Sequence, residues 1–320
     1  MTLISNVFTQ YDAYGNREDL TDFIYDVSPT DTPFISSIPK TAATAVLHEW
    51  QTDSLASASA TNQQLEGDSI SAASSSATTR LGNRCQISYK ALGVSGTQEA
   101  ILKAGRKSEL KYQILKRSKE LKRDMEASLL ANNAAVTGAT GSARELGGIE
   151  AWFTTNVSRG TGGSSGSLGT SAASNGTQRT FTESLVKAVL VSCFSNGGDP
   201  DTIMLSPEHK QTFSGFTGNA TRFKTAEDKR LTATIDVYQS DFGDMQVMPN
   251  RFMQGFSGAT TSGIRSALVL QTDMWALATL RPPQLQDLAK VGDAERRFVI
   301  AEYTLESRNQ AASGIVADLS

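Results

Sequence analysis

The sequence predicts an α+β protein that begins as an extended arm, passes through one long helix and closes in strands. Three observations predict this. Pro29, Pro33 and Pro39 punctuate an apolar N-terminal stretch. Leu110, Ile114, Leu121, Met125 and Leu129 then mark one helical stripe, at steps of four and seven. Late in the chain, Val299, Ala301, Tyr303 and Leu305 alternate with Glu302, Thr304 and Glu306, the period of a strand. The chain has 320 residues, enough for two domains or one elaborated domain. Its 39% hydrophobic content is low for a globular protein, so part of its order is expected from neighbours.

Residues 1–43 read as an arm. Each proline turns the preceding residue away from the α-region, and Phe23, Ile24, Phe34, Ile35 and Ile38 give the extended chain apolar anchors that must lie against something. Two strand-like runs follow, TAVLHEWQT and RCQISYKALGV, whose composition lets them pair as the base of one long hairpin. The stretch between them is nearly bare of large apolar residues and has no lysine. A two-stranded ribbon is marginal alone in water, so this hairpin is expected to reach onto another subunit. The helix is predicted over roughly 97–133, about 50 Å long, with Gly105 as its weak point.

Residues 160–179 form a Gly/Ser loop, expected as an insertion tip or linker. In TFTESLVKAVLVSCFSNGG, Thr180 and Glu183 fit a capping box and Gly197–Gly198 stop the helix. A buried strand follows, then a helix with Ser206 as N-cap and Pro207 at its first position. ATIDVYQSDFGDMQVMPNRF reads as a hairpin turning at Asp241–Asp244, and SALVLQTDMWALATLR as one longer strand. No repeat of 20 to 50 residues appears.

No catalytic constellation emerges, and the chain is not read as an enzyme. His48 alternates with Val46 and Trp50 on a strand, a packing position, and His209 falls in the first turn of a helix, a surface or capping position. Two histidines and two scattered cysteines lack zinc spacing, and no cofactor or metal is expected. GATGSAREL lacks the Gly-Lys-Ser/Thr ending of a phosphate loop. Cys85 shares a predicted strand face with Ile87, Tyr89 and Ala91, and Cys193 lies in an apolar helix, so both read as packing residues suited to a reducing compartment. No apolar run is long enough to span a membrane and the N-terminus has no signal-peptide pattern, so a soluble intracellular product is expected.

The strongest functional signal is electrostatic. Residues 103–123 hold nine Lys or Arg against two Glu in a chain whose net charge is −3. The nine are Lys103, Arg106, Lys107, Lys111, Lys116, Arg117, Lys119, Lys122 and Arg123. Three readings fit: a solvated face, a nucleic-acid site, or a wall turned toward something negative inside an assembly. A dedicated nucleic-acid-binding protein is the alternative function, weakened by a single aromatic in the window, Tyr112, and the acidity elsewhere.

REDLTDFIYDVSPTDTPFISSI, GGDPDTIMLSPEHKQTFSGF, DVYQSDFGDMQVMPNRF and the long stretch from Met274 to Leu319 resemble the major capsid proteins of tailed phages, which share the Hong Kong-type (Johnson) fold. The resemblance implies an N-terminal arm at 1–43, an E-loop hairpin at 44–94, a peripheral domain with the spine helix at 95–135, an axial domain at 136–264 and peripheral strands at 265–320. It also implies a virion shell subunit, made in the host bacterial cytoplasm, that self-assembles into hexamers and pentamers around packaged double-stranded DNA. A portal and a possible decoration protein are implied partners, with no membrane. The nine basic residues become an inner face toward DNA or scaffold, and Phe23, Ile24, Phe34 and Ile35 become arm contacts, intersubunit or on the same subunit's peripheral domain. Because the arm starts close to Met1, a separate scaffold is expected instead of a cleaved N-terminal one. Some members lock the shell with an isopeptide bond from an E-loop lysine. No lysine lies between Lys40 and Lys90 here, so a noncovalent shell is expected.

Overall fold

The computed structural model describes residues 30–67, 69, 77–103, 105–216, 236–253 and 265–320. In chain order the elements are α1 (Pro33–Ser37), β1 (Lys40–Ala42), β2 (Leu47–Thr52), β3 (Thr79–Arg84), β4 (Gln86–Ser95), α2 (Gly96–Ala100), α3 (Glu109–Leu130), α4 (Ile149–Trp152) and β5 (Val157–Ser158). After them come α5 (Glu183–Ser195), β6 (Thr202–Leu205), α6 (Pro207–Ser214), β7 (Val237–Ser240) and β8 (Gly243–Pro249). The chain closes with β9 (Ala267–Leu270), β10 (Trp275–Asp287), β11 (Ala294–Ser307) and β12 (Gly314–Val316). They build a four-stranded sheet, β1-β10-β11-β4, a six-stranded sheet, β5-β12-β9-β6-β8-β7, and the two-stranded ribbon β2-β3.

Two cores follow from these layers. α3 lays Leu121, Met125 and Leu129 into the larger one, beside Trp152, Trp275, Tyr303 and Leu305. α5 presents Val186, Val189, Leu190 and Cys193, spaced i, i+3, i+4, i+7, to the six-stranded sheet, where Ile203, Leu205, Phe213 and Val316 complete the second core. Ser206 caps α6, accepting the His209 N–H, with Pro207 at the first helical position.

The structure corrects several expectations. The long helix is two helices. α2 ends at Ala100, Gly105 sits at φ 73°, and Ser108 restarts the helix as N-cap of α3. The strut is therefore 22 residues, about 33 Å, and Lys103, Arg106 and Lys107 lie in the connection before it. The hairpin partner also differs. β2 pairs with β3, Leu47 opposite Arg84 and Thr52 opposite Thr79, while RCQISYKALGV supplies β4, which pairs with β11. Just before β4, Cys85 is buried as expected, but Ile87 and Tyr89 on the strand are 43% and 64% exposed.

SALVLQTDMWALATLR is split: β9 belongs to the six-stranded sheet and β10 to the four-stranded one, with a 3-10 turn, Thr272–Met274, between them. Thr182 rather than Thr180 is the N-cap of α5. The Gly/Ser loop is not a loose linker. It folds on itself through paired Ser164–Ser174 hydrogen bonds, and a Cβ on Gly160 would stand 1.9 Å from the Thr177 carbonyl oxygen, so glycine is there for close backbone packing.

Candidate assembly surfaces

The start of α3 sets the electrostatics of the basic segment. Glu99 of α2 accepts the N–H groups of Glu109 and Leu110, and Ser108 accepts that of Lys111, so the first turn's free donors are satisfied. The Ser108 hydroxyl, with those two backbone donors, holds the Glu99 carboxyl below its usual range. Lys103 is nearly buried, its Nζ donating to the Glu99 carbonyl and 3.7 Å from the Glu99 carboxylate. Arg106 pairs with Glu109 and lies over the Tyr112 ring at 5.2 Å. Arg117 pairs with Glu120 at 2.6 Å, and Arg123 lies over Phe252 at 6.0 Å.

The remaining five behave differently. Lys107, Lys111, Lys116, Lys119 and Lys122 are exposed, and none has an ion pair among the described residues. At 100° per residue, Lys111, Lys119 and Lys122 fall within an arc of about 80° on α3. Lys116 and Arg123 lie roughly 40–60° further round, and Arg117 faces away. The structure thus divides the nine: a lysine stripe open to solvent, and basic residues already neutralised or stacked.

The arm residues divide too. Phe34 and Ile35 are 0% and 4% exposed in the chain's own core, so of the two expected contacts these residues make the one within the same subunit. Phe23 and Ile24 lie outside the described residues. What fixes α1 is Glu126, which sequence reasoning did not single out. Its carboxylate accepts the N–H groups of Phe34 at 2.8 Å and Ile35 at 2.9 Å, and the Asn250 amide at 2.7 Å. Burial pushes this carboxyl above its usual range, against the pull of its three donors and of Lys122. The available signal was positional: Glu126 adjoins Met125 and stands one turn before Leu129 and Leu130, so it faces inward.

Among the described residues, the ribbon is anchored at its base. Trp50 packs on Trp152 at 5.4 Å, and His48 Nε2 lies 2.9 Å from a Glu306 carboxylate oxygen, which adds a polar contact to its packing position. Beyond it, residues 53–67 are exposed, with Leu55 at 99% and Leu65 at 80%. His209 is buried, not a surface residue, with Nδ1 2.6 Å from the Ser206 hydroxyl, and burial lowers its pKa. Both thiols are buried and raised, Cys85 to about 11 and Cys193 to about 12. Among the described residues no cluster of His, Cys, Asp or Glu could hold a metal ion, and no helix is long and apolar enough to cross a membrane.

An exposed ribbon and an open lysine stripe describe a subunit with surfaces free to meet other chains. The family model of the SU10 major capsid protein matches residues 4–320. The chain belongs to that family. A major capsid protein of Escherichia phage Phieco32 is 27% identical over 97% of this chain and 96% of its own. Among solved structures, the capsid asymmetric unit of cyanophage A-1(L) superposes with a TM-score of 0.65 at 12% identity, covering 99% of both chains. A Mycobacterium phage Bobi chain gives 0.61 at 12% identity over 98% of both. These likenesses establish the Hong Kong-type fold, and this SU10-family major capsid protein is a structural subunit of the phage head.

Proposed function

We propose that this capsid protein assembles as hexamers and pentamers into a closed shell around packaged double-stranded DNA, with the lysine stripe of α3 turned inward. The observation that carries this reading is the full-length family match, joined to a stripe of lysines left unpaired on one helix face. In it, residues 1–43 form the arm, 44–94 the E-loop, 95–135 and 265–320 the peripheral domain, and 136–264 the axial domain. Phe23 and Ile24 contact a neighbour. Lys107, Lys111, Lys116, Lys119 and Lys122 face the polyanion, DNA or scaffold; each exposed contact is weak and screened by salt, so they act as a field over many copies. A portal and a decoration protein are further partners of the assembled head. Host-cell synthesis in the bacterial cytoplasm suits the two reduced, buried cysteines.

The test is negative-stain imaging and sedimentation of purified full-length protein. Shells or capsomers are expected. A discrete monomer at every concentration and salt would overturn the reading.

A further inference from the structure

The chain has two histidines, and His209 is the one closed inside a core, 5% exposed. It sits in the first turn of α6, three residues after the N-cap, Ser206. The Ser206 oxygen caps the helix by accepting the His209 N–H at 3.3 Å, and the same hydroxyl lies 2.6 Å from Nδ1. Among the described residues that hydroxyl has no other acceptor, so it donates to Nδ1, and the neutral imidazole carries its own proton on Nε2.

A second proton therefore enters at the nitrogen that faces the cap. Nδ1 then becomes a donor. The Ser206 oxygen must accept from the imidazolium and the backbone together, and its own hydrogen is left without an acceptor. The charge is as badly placed as the hydrogen bond. A helix N-terminus is the positive end of the dipole and disfavours a cation. Two charged groups face the ring: Glu208 from the same turn, and Arg265, just before β9, which opposes it. From the α5 side the ring meets Phe181, with centroids 5.6 Å apart at 87°, which supplies no counter-ion. Burial is the larger influence and holds the imidazole below its ordinary value.

What this cap holds in place is aromatic. Phe213 of α6 is fully buried, and with Phe181 and Phe216 it forms a cluster whose ring centroids lie 5.1 to 6.3 Å apart. We propose that His209 is a proton-operated latch: protonation at Nδ1 breaks the Ser206 cap, loosens α6 from the second core and bares the Phe181–Phe213–Phe216 cluster. In the open form the ring is hydrated and takes up its proton near pH 6.5, about the ordinary value. The closed form is therefore fully favoured above that pH and loses stability as pH falls through it. The proton is the effector, and no other ligand is required.

The experiment follows backbone hydrogen exchange of the unassembled full-length chain from about pH 7.5 to about pH 5, corrected for intrinsic exchange. Binding of a fluorescent hydrophobic dye is measured alongside. Wild-type α6 is expected to lose protection roughly tenfold and dye fluorescence to rise, while α3 keeps its protection. His209→Asn, whose side-chain oxygen takes the Ser206 proton but never becomes charged, should keep α6 closed across the range. His48→Asn should open as the wild type does. Arg265→Gln, at an exposed position, removes part of the penalty on the imidazolium and should shrink the acid effect. Constant α6 protection in the wild type, or an equal loss in His209→Asn, would overturn the proposal. So would a loss in α6 that only keeps step with α3, the mark of global acid unfolding. If His209→Asn does not fold, the wild-type profile and Arg265→Gln carry the test, and an undiminished acid effect in Arg265→Gln refutes the latch.

Discussion

Removing the Glu126 carboxylate is the sharpest test of how the N-terminal segment joins the subunit. In Glu126→Ala, the buried N–H groups of Phe34 and Ile35 and the amide of Asn250 lose their acceptor. At about 1–3 kcal/mol for each unsatisfied donor, the gross cost is roughly 3–9 kcal/mol. Relief of the buried carboxylate's own desolvation returns part of it, leaving a net loss of about 2–4 kcal/mol. Peeling α1 away to rehydrate the donors would expose Phe34, Ile35 and Ile38 at about 1.5–3 kcal/mol each, a larger loss. So α1 should stay docked, and the unassembled subunit should melt roughly 4–16 °C lower, at about 2–4 °C per kcal/mol. An unchanged Tm, with the Phe34 and Ile35 amides still protected from hydrogen exchange, would refute the reasoning.

The same group gives a pH dependence. Burial raises the Glu126 pKa in the folded chain, so the folded form binds its proton more tightly than the unfolded form. That contribution is fully present below the ordinary carboxylate range and is lost as pH rises through the raised value. Glu126→Gln should flatten this slope at a cost of about 1–2 kcal/mol, since one of two acceptor oxygens remains.

Charge reversal of Lys111, Lys119 and Lys122 together should leave the subunit's Tm within about 2 °C, yet reduce scaffold use or DNA retention in shells; normal filling would exclude an inward stripe. Deleting residues 1–29 should leave folded but assembly-deficient protein, whereas deletion through Lys40 removes Phe34, Ile35 and Ile38 from the core and should yield insoluble chain, separable by solubility and circular dichroism. Mature wild-type particles boiled in SDS without reductant should run as a single band near 34.2 kDa, because the buried Cys85 and Cys193 thiols stay protonated and no lysine lies between Lys40 and Lys90. A persistent ladder would reveal a covalent lock.

Periodicity was legible wherever one face met one core. The helix of SLVKAVLVSCFS and the alternation of Val299, Ala301, Tyr303 and Leu305 on β11 appear in the structure as read, although Glu302, Thr304 and Glu306 are buried as well. Arg144 and Arg281 explain Glu302, pairing with its two oxygens at 2.6 and 2.8 Å. Strand partners were not legible, because pairing is decided by tertiary contacts far apart in sequence. TRLGNR has weak strand composition, yet becomes β3 where Gly82 lets the backbone approach Glu49 and His48 closely, and Asn83 is tied to Gly147 and Leu305. RCQISYKALGV looks like the better hairpin half but is claimed by β11, some two hundred residues later. The break in the long helix runs from Ile101, already extended at ψ 140°, through Gly105 at φ 73° to Ser108, and the stripe could not signal it because Leu110 and Ile114 keep step with the helix on the far side.

The same division explains the basic segment. A count of nine cations treats them as equal, but four sit where folding supplies a partner: Glu99 for Lys103, Glu109 for Arg106, Glu120 for Arg117 and the Phe252 ring for Arg123. These belong to the subunit's own architecture. The five exposed lysines have no ion pair among the described residues, and clustering four of them, Lys111, Lys116, Lys119 and Lys122, on one helix destabilises the isolated chain slightly. Residues 53–67 follow the same logic: they bury nothing, and Leu55 and Leu65 stand in water. Features that cost the lone subunit and return nothing to it point to the assembled state as the form in which their energy is recovered, so folding and assembly share one free-energy balance.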